Sequence, residues 1–377
     1  GSRFAKRRAF RTTLRSSAPI VIHYARRSKL HIKMIVEVED RRFVAHLSAV
    51  PKFGRHIYMV HDAATRGRVP CQRLVAATDT FLKRLHAGMS VVLLDYIAGT
   101  NNNDIYSIEE CTAFGETMAR LHNVSAPFCG SPASPRPPAD FRATLLQECK
   151  ILYDEIGSGM GFQRLMPECK MHEWLERRTR FLSRRRRFSL VHGDPHQNNV
   201  LFDGIGVPHV IDLDTAEYSV GAFEVARCLM MAHCGLDPPR QVAFLHGYER
   251  AARPHIFDLW REHAPVATVA VTLFLSAGLL NSAAVLQRVS GKWAPVYAEA
   301  ARRLWLWRQH IVTSDPSCGK DWCSLVSCAP PCDRLTEKEG ALLLAMRKDP
   351  AVRRHMRSGS RSSLIDSTMA SDSGSNR

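Results

Sequence analysis

A polar loop held between apolar strands constrains this chain more than any other stretch. The loop at 192–199 reads HGDPHQNN, and the apolar runs FSLV and VLF precede and follow it directly. A second apolar run at 207–211 ends in Asp212 and, two residues later, Asp214. Catalytic side chains are usually mounted in this way, on loops anchored by buried strands. The stretch therefore predicts a functional site near the middle of the chain.

The residue types and spacing in this loop suit phosphoryl transfer. That reaction needs a carboxylate to accept a hydroxyl proton, and oxygen ligands that hold Mg²⁺ against nucleotide phosphates. Asp194 and Asn199 are separated by the interval that a kinase catalytic loop uses between its base and its metal-binding asparagine. Asp212 follows a strand, where the second metal-binding carboxylate belongs. Such residues are also common in ordinary turns, but the full string with its flanking strands favours the kinase-like interpretation.

The pattern H-G-D-x-x-x-x-N, followed by an apolar strand and I-D, resembles the aminoglycoside phosphotransferase and choline kinase family. The matching residues are His192, Gly193, Asp194, Asn199, Ile211 and Asp212. The resemblance implies an α+β, two-lobed protein-kinase-like fold, with a small antiparallel-sheet N-lobe and a larger, mostly helical C-lobe. It also implies that Asp194 is the catalytic base, that Asn199 and Asp212 bind Mg²⁺ and with it ATP, and that His192 supports the loop.

The N-terminal part of the predicted small lobe departs from the family. Residues 30–50 alternate apolar and polar side chains and predict a β-hairpin with its turn at 39–41. The family carries a phosphate-binding lysine on the return strand, and aligning its apolar pair places His46 at that position. His46 is either that phosphate ligand or an ordinary half-buried strand residue. The helix expected at 53–67 would supply a glutamate partner for the lysine, but its only acid is Asp62.

The run VVLLDYIAG at 91–99 resembles the family's hinge between the lobes. The resemblance implies that backbone groups from Asp95 to Ile97 bond the adenine edge, the alternative being a buried strand that ends in a turn. After the central motif, Glu224 occupies the place of a family acid and is expected to stabilise the catalytic loop. A capping box at 107–110 predicts a helix start.

These features predict four regions along the chain. Residues 1–29 form a basic, flexible leader, 30–97 the N-lobe, 98–315 the C-lobe, and 316–377 a cysteine-containing segment with a disordered tail. Residues 1–33 contain ten Lys or Arg and no acid, which is typical of a transit peptide or of an anion-binding arm as well as of a solvated leader. We expect a cytoplasmic protein, with organelle targeting left open by this leader.

The net charge of +16 favours anionic ligands such as nucleotides, phosphorylated metabolites, nucleic acid or acidic membranes. It argues weakly against a polycationic substrate, and the chain has no clear nucleic-acid-binding motif. Residues 264–287 carry no charge and could span a membrane, but their polar residues favour a buried helix and no transmembrane segment. Four cysteines near the C-terminus could bind zinc, namely Cys318, Cys323, Cys328 and Cys332. Because they include no C-x-x-C pair, free thiols are the preferred interpretation.

Two hypotheses for function follow from the sequence. The first is an ATP-dependent phosphotransferase that transfers the γ-phosphate to a hydroxyl of a small molecule, with the nucleotide and that molecule as its partners. The alternative is a catalytically impaired pseudokinase that acts as a nucleotide-binding or regulatory protein, because the lysine–glutamate pair is missing. The first is preferred because Asp194, Asn199 and Asp212 are all present. The acceptor and the oligomeric state are not readable from the sequence.

Overall fold

The computed structural model describes residues 21–27, 31–48, 51–75, 90–101, 106–124, 188–230, 238–264, 266–268 and 270–271. The expectations for the acceptor-side region 141–187, for most of 264–287 and for the cysteine segment 316–377 lie outside these residues. Over the described part of the chain, no helix combines the length and apolar character needed to cross a bilayer.

The small lobe is built on a four-stranded antiparallel sheet with its strands in sequence order. The strands are β1 Val21–Arg27, β2 His31–Val38, β3 Arg41–Ser48 and β4 Ser90–Asp95. The first strand lies inside the segment 1–29 that the sequence assigns to a flexible leader, so the sheet begins before residue 30. Its basic composition hid this strand, because charged residues are uncommon in strand interiors.

Alternating side chains divide the sheet into two faces. One face is an apolar cluster that includes Met34, Val36 and Phe43. The other face packs Val44, Val92 and Leu94 against Ile57 of helix α1, which spans Pro51–Arg66. The helix expected at 53–67 is therefore present with nearly the expected bounds. Lys33 and His46 alternate with the first cluster and share the second face.

A two-residue turn sets which side chains of β2 and β3 lie opposite one another. Glu39 and Asp40 both have positive φ, 51° and 59°, which is the backbone of a type I′ hairpin turn. Arg41 belongs to β3 and pairs with Val38, so the turn predicted at 39–41 is wrong by one residue. Because side chains alternate between the two faces of a strand, a one-residue difference in turn length changes which side chains of β2 and β3 lie opposite each other on the same face.

Helices dominate the large lobe. Helix α2, Ile108–His122, begins with the predicted capping box, in which Ser107 and Glu110 bond each other's backbone N–H groups. It packs across α4, Pro238–Ala251, so closely that a side chain at Gly115 would collide with the Phe244 carbonyl. Helix α3, Gly221–Met230, and a further helix at 254–264 complete the core around Phe114, Tyr248 and Trp260.

Two short antiparallel pairs carry the central motif between the helices and the small lobe. Strand β5, Ser189–Val191, pairs with β8, Glu217–Ser219, and β6, Val200–Phe202, pairs with β7, Pro208–Val210. The chain leaving β4 joins them, since Thr100 and Phe202 exchange backbone hydrogen bonds of 2.9 and 3.0 Å. The small antiparallel sheet and the helical large lobe confirm the predicted α+β, kinase-like architecture.

Candidate active site

The loop that follows β5 is fastened by one buried carboxylate. Glu224 of α3 accepts hydrogen bonds from the backbone N–H groups of His192 and Gly193, each at 2.8 Å. Its Oε2 also accepts a bond from Nε2 of His122, at 2.9 Å. Burial opposes ionisation of Glu224, but the hydrogen bond and charge of His122, with a contribution from His192, keep its pKa below the ordinary value. The predicted structural role of Glu224 is confirmed.

His192 links the two halves of the motif. Its Nε2–H donates to the Ile211 carbonyl at 2.9 Å, and its Nδ1 accepts the backbone N–H of Asp194 at 3.3 Å. Both ring nitrogens of this buried histidine are therefore used for scaffolding, which agrees with the supporting role expected from the sequence. Gly193 beside it has a φ of 81°, and a Cβ there would lie 2.5 Å from the Thr215 carbonyl oxygen.

The half-exposed carboxylate of Asp194 lies between Arg227 and His196. Arg227 donates to Oδ1 at 2.7 Å and also to the Gly193 carbonyl at 2.6 Å. Nε2 of His196 lies 3.3 Å from Oδ2. Burial by itself raises the pKa of Asp194, but the hydrogen bond and charge of His196 and the charge of Arg227 outweigh it, so the pKa lies below its usual value. The side chain is ionised at neutral pH.

Asn199 is placed beside both aspartates of the motif. Its Nδ2–H donates to the backbone carbonyl of Asp194 at 2.9 Å. The main-chain carbonyl of Asn199 accepts the N–H of Ile211 at 2.9 Å, and Ile211 directly precedes Asp212. Because the amide nitrogen is used within the loop, the amide oxygen is the group of Asn199 suited to a metal ion. The structure thus brings together the base and metal ligands expected from the sequence.

Asp212 stands in a backbone conformation that few residues adopt. Its φ of 62° and ψ of 49° are left-handed, a region in which aspartate and asparagine are enriched among non-glycine residues. Such backbone outliers persist only where the surroundings enforce them, and they cluster at functional sites. The conformation turns the chain from β7 into the 3₁₀ segment Leu213–Thr215, which brings Asp214 toward the small lobe.

Lys33 of the small lobe, which the sequence did not predict as a site residue, reaches the carboxylate of Asp212. Nζ of Lys33 lies 2.6 Å from Oδ1 of Asp212 and 3.5 Å from Oδ2 of Asp214. Lys33 is the cross-strand partner of His46. The signal that could have found it is the hairpin turn, because a two-residue loop pairs these two positions, whereas the loop predicted at 39–41 pairs Lys33 with Leu47.

The structure places His46 close to this acid pair. The histidine is buried, and its Nδ1 lies 3.6 Å from Oδ1 of Asp214. On α1, where the family glutamate is expected, His56 interacts with Asp214, and burial lowers the pKa of this histidine despite that acid. His46, at the position expected for the lysine, and His56, on the helix expected to supply the glutamate, therefore both interact with Asp214.

The two residues expected at the adenine edge lie where the lobes join. Asp95 ends β4, and its N–H donates to the Arg73 carbonyl at 2.9 Å. Ile97 follows two residues later as a half-buried residue of the connecting segment. With the Asp95 N–H already bonded, an adenine contact here would use the remaining backbone groups of the segment.

The donor set at Asn199 and Asp212 fits magnesium. Both offer hard oxygen ligands, and Mg²⁺ is usually held by one or two carboxylates together with substrate phosphates. The carboxylate of Asp212 already lies against a cation, the Lys33 ammonium. Within the described ranges no cluster of three His, Cys, Asp or Glu side chains could form a metal cage.

Comparison with known proteins identifies the family of this chain. The sequence model of the phosphotransferase enzyme family, APH, matches residues 41–266. The chain belongs to this family. The match begins at β3 and ends in the helical region of the large lobe, so it covers Asp194, Asn199, Asp212 and Glu224 and leaves out Lys33.

Two curated relatives of this chain are named homoserine kinases. That of Methylobacillus flagellatus is 29% identical over 171 residues, which cover 44% of this chain and 50% of the relative. That of Beijerinckia indica is 26% identical over 189 residues, which cover 48% of this chain and 54% of the relative. The chain thus spans about half the length of the curated relatives it matches.

Solved structures share the fold at low sequence identity. An aminoglycoside phosphotransferase from Alicyclobacillus acidocaldarius has a TM-score of 0.53 and 13% identity, over 83% of this chain and 96% of that one. A microcompartment-associated aminopropanol kinase has a TM-score of 0.50 and 13% identity, over 83% of this chain and 98% of that one. Both similarities concern the fold.

Proposed function

We propose that this phosphotransferase transfers the γ-phosphate of ATP to a hydroxyl of a small molecule. The observation that carries the proposal is the convergence of three motif residues at the join of the two lobes. The Asn199 side chain bonds the backbone of Asp194, and its main chain pairs with the residue before Asp212. A base and two metal ligands in one place are the parts that phosphoryl transfer requires.

Asp194 acts as the base in this proposal. Its lowered pKa keeps the carboxylate ionised at neutral pH, so Oδ2 or Oδ1 can accept the proton of the attacking hydroxyl. Arg227 bonds both this carboxylate and the preceding carbonyl, and it thereby fixes the carboxylate against the loop. Positioning of this kind contributes to catalysis because the reacting groups must meet within a narrow geometry.

Asn199 and Asp212 would hold Mg²⁺, and the backbone from Asp95 to Ile97 would contact the adenine. The metal, when bound, neutralises charge on the phosphate oxygens. The small-lobe face that carries Lys33 and His46 would cover the phosphates. Lys33 contacts Asp212 and Asp214, and His46 contacts Asp214. His46 remains a proposed phosphate contact on this basis.

The alternative of an impaired pseudokinase depends on the absence of a cation at the phosphates. Lys33 supplies an ammonium group next to Asp212, which supports the enzyme and weakens the motive for the alternative. For the acceptor, the homoserine kinases among the relatives make homoserine the first compound to test. Other small hydroxyl compounds would follow in the same screen.

A thermal-shift titration with ATP tests the nucleotide site. A ligand that binds only the folded state stabilises it by about 2.7 kcal/mol at one hundred times its Kd. We expect a rise in Tm that requires Mg²⁺, is lost in Asp212→Asn and persists in the control Asp62→Asn, which alters a surface carboxylate of α1. A Tm that does not change on adding ATP, whichever metal ion is present, would contradict the proposal.

A further inference from the structure

Within this proposed function, we infer that Lys33 of β2 is the phosphate-binding lysine of this protein, and that Asp214 holds it in place of a helix glutamate. The inference goes beyond the motif, because the family position on β3 holds His46 and the family model begins after β2. It assigns a nucleotide-binding role to a residue that linear comparison with the family would not select.

The position of Lys33 in the sheet supports this assignment. Lys33 and His46 form a cross-strand pair on the face of the sheet that packs on α1. Directly opposed residues of an antiparallel pair have their Cβ atoms about 4.5–5.5 Å apart. A lysine side chain is longer than that separation, so an ammonium carried on β2 reaches the same volume as one carried on β3.

The balance of charge around Lys33 supports it as well. Nζ of Lys33 lies near two carboxylates, Asp212 at 2.6 Å and Asp214 at 3.5 Å. One ammonium leaves this group with a net negative charge, which suits the addition of a metal cation at Asp212. With Asp212 engaged by metal, Asp214 remains to orient the lysine. An ammonium has three donors, so N–H groups are then available for phosphate oxygens.

The two histidines beside Lys33 are less suited to binding phosphate. His46 is almost completely buried, with a side chain 2% exposed, whereas the Lys33 side chain is 22% exposed and ends at the motif. Burial lowers the pKa of His56, so this histidine is neutral at pH 7 and adds no positive charge. Lys33 is therefore the side chain of this group that combines an ammonium group with access to the site.

The test is nucleotide binding in the presence of MgCl₂, measured by calorimetry with ADP and with adenosine. Lys33→Met should weaken ADP binding by about tenfold to a hundredfold, the usual value of a charge-assisted hydrogen bond, and leave adenosine binding within about twofold. Lys33→Met combined with His46→Lys returns a lysine to the same volume and should recover most of the ADP affinity. Arg66→Met, which removes an exposed charge from the end of α1, is the matched control.

Each outcome of these titrations decides one question. Wild-type protein that binds neither ADP nor adenosine overturns the proposed function and this inference together. Wild-type protein that binds ADP, with Lys33→Met binding it equally well, overturns the inference and leaves the function standing. Equal losses for ADP and adenosine would mean that Lys33 only supports the fold. Thermal melts show whether each variant is folded. If Lys33→Met does not fold, the double variant, which keeps a cation beside the acids, is titrated in its place. Retained ADP affinity in the double variant supports the inference, and lost ADP affinity overturns it.

Discussion

The two sides of the site are assembled in different ways. On the large-lobe side, Asp194, Asn199 and Glu224 belong to one continuous stretch. The bonds from Gly193 to Glu224 and from Asn199 to Asp194 form within it, and His122 of α2 is the more distant partner of Glu224. On the small-lobe side, Lys33 meets Asp212 across 179 positions of sequence, and it faces the motif only because a two-residue turn sets the register of its strand. The first arrangement follows from a linear motif, while the second follows from strand pairing.

In the proposed function, this difference separates the base from the phosphate-binding cation. The loop at 192–199 is fastened by a carboxylate that accepts hydrogen bonds from several donors, so its geometry tolerates little change. The proposed phosphate contact needs only a cation in the correct volume, and two strands can supply it. We therefore expect substitutions in the loop to affect turnover and stability strongly, and substitutions in the sheet to affect nucleotide affinity.

The largest effect is expected at Asp194. Replacing it with alanine removes the base, and general bases typically contribute about 10²–10⁴-fold in rate. Turnover on the acceptor found by the screen should fall by at least that factor, while the ATP-dependent rise in Tm is retained. The control Asp258→Asn removes an exposed carboxylate of the helix at 254–264 and should leave turnover unchanged. Normal turnover in Asp194→Ala would contradict the proposal that Asp194 is the base.

Glu224 should give the largest loss of stability. Glu224→Ala leaves the N–H groups of buried His192 and half-buried Gly193, and the ring of buried His122, without their acceptor. Breaking a buried charged network typically costs about 3–5 kcal/mol. Urea denaturation should show this loss, a smaller loss for Glu224→Gln, and almost none for Glu249→Ala on the exposed side of α4. Equal stability of wild type and Glu224→Ala would contradict the view that one carboxylate fastens the loop.

The same carboxylate predicts a dependence of stability on pH. Its folded-state pKa lies below the ordinary 4.5, so its contribution is complete above that pH and is lost as the pH falls through the lowered folded-state value. Wild-type protein should lose stability in this acid range more steeply than Glu224→Gln, which does not titrate. Denaturation curves collected from pH 6 downward would measure the two slopes.

Arg227 should shift the pH dependence of the reaction. Arg227→Met removes a positive charge 2.7 Å from Oδ1 of Asp194, so the pKa of this carboxyl should rise. Because the base must be ionised, the acid limb of kcat/KM should move to higher pH. The control Arg261→Met, on an exposed surface, should leave the profile in place. An unmoved limb in Arg227→Met would mean that another group sets the acid limit.

The smallest expected effect lies in the turn that sets the register. Asp40 has a φ of 59°, and this region costs a non-glycine residue about 1–2 kcal/mol. Asp40→Gly should therefore raise the free energy of unfolding by roughly 1 kcal/mol without changing ADP affinity, since Lys33 keeps its place. A change in ADP affinity would show that the turn does more than hold the register.

Sequence reasoning predicted that Asp194, Asn199 and Asp212 lie together, because they occur at fixed spacings between recognisable strands, and the structure places them in one site. Arg227 was missed, although it follows Glu224 by three residues and so shares its face of α3. Lys33 was missed because an error of one residue in the turn moves a side chain to the opposite face of a sheet. The strand Val21–Arg27 was missed because its partner β2, and not its own composition, determines its structure.

The cross-strand pairing of Lys33 with His46 also bears on how such a site can change over generations. A chain with lysine at both positions would place two ammonium groups beside two carboxylates, Asp212 and Asp214, so that each positive charge has an acid nearby. Such a chain would retain a cation at the site whichever of the two lysines was then replaced.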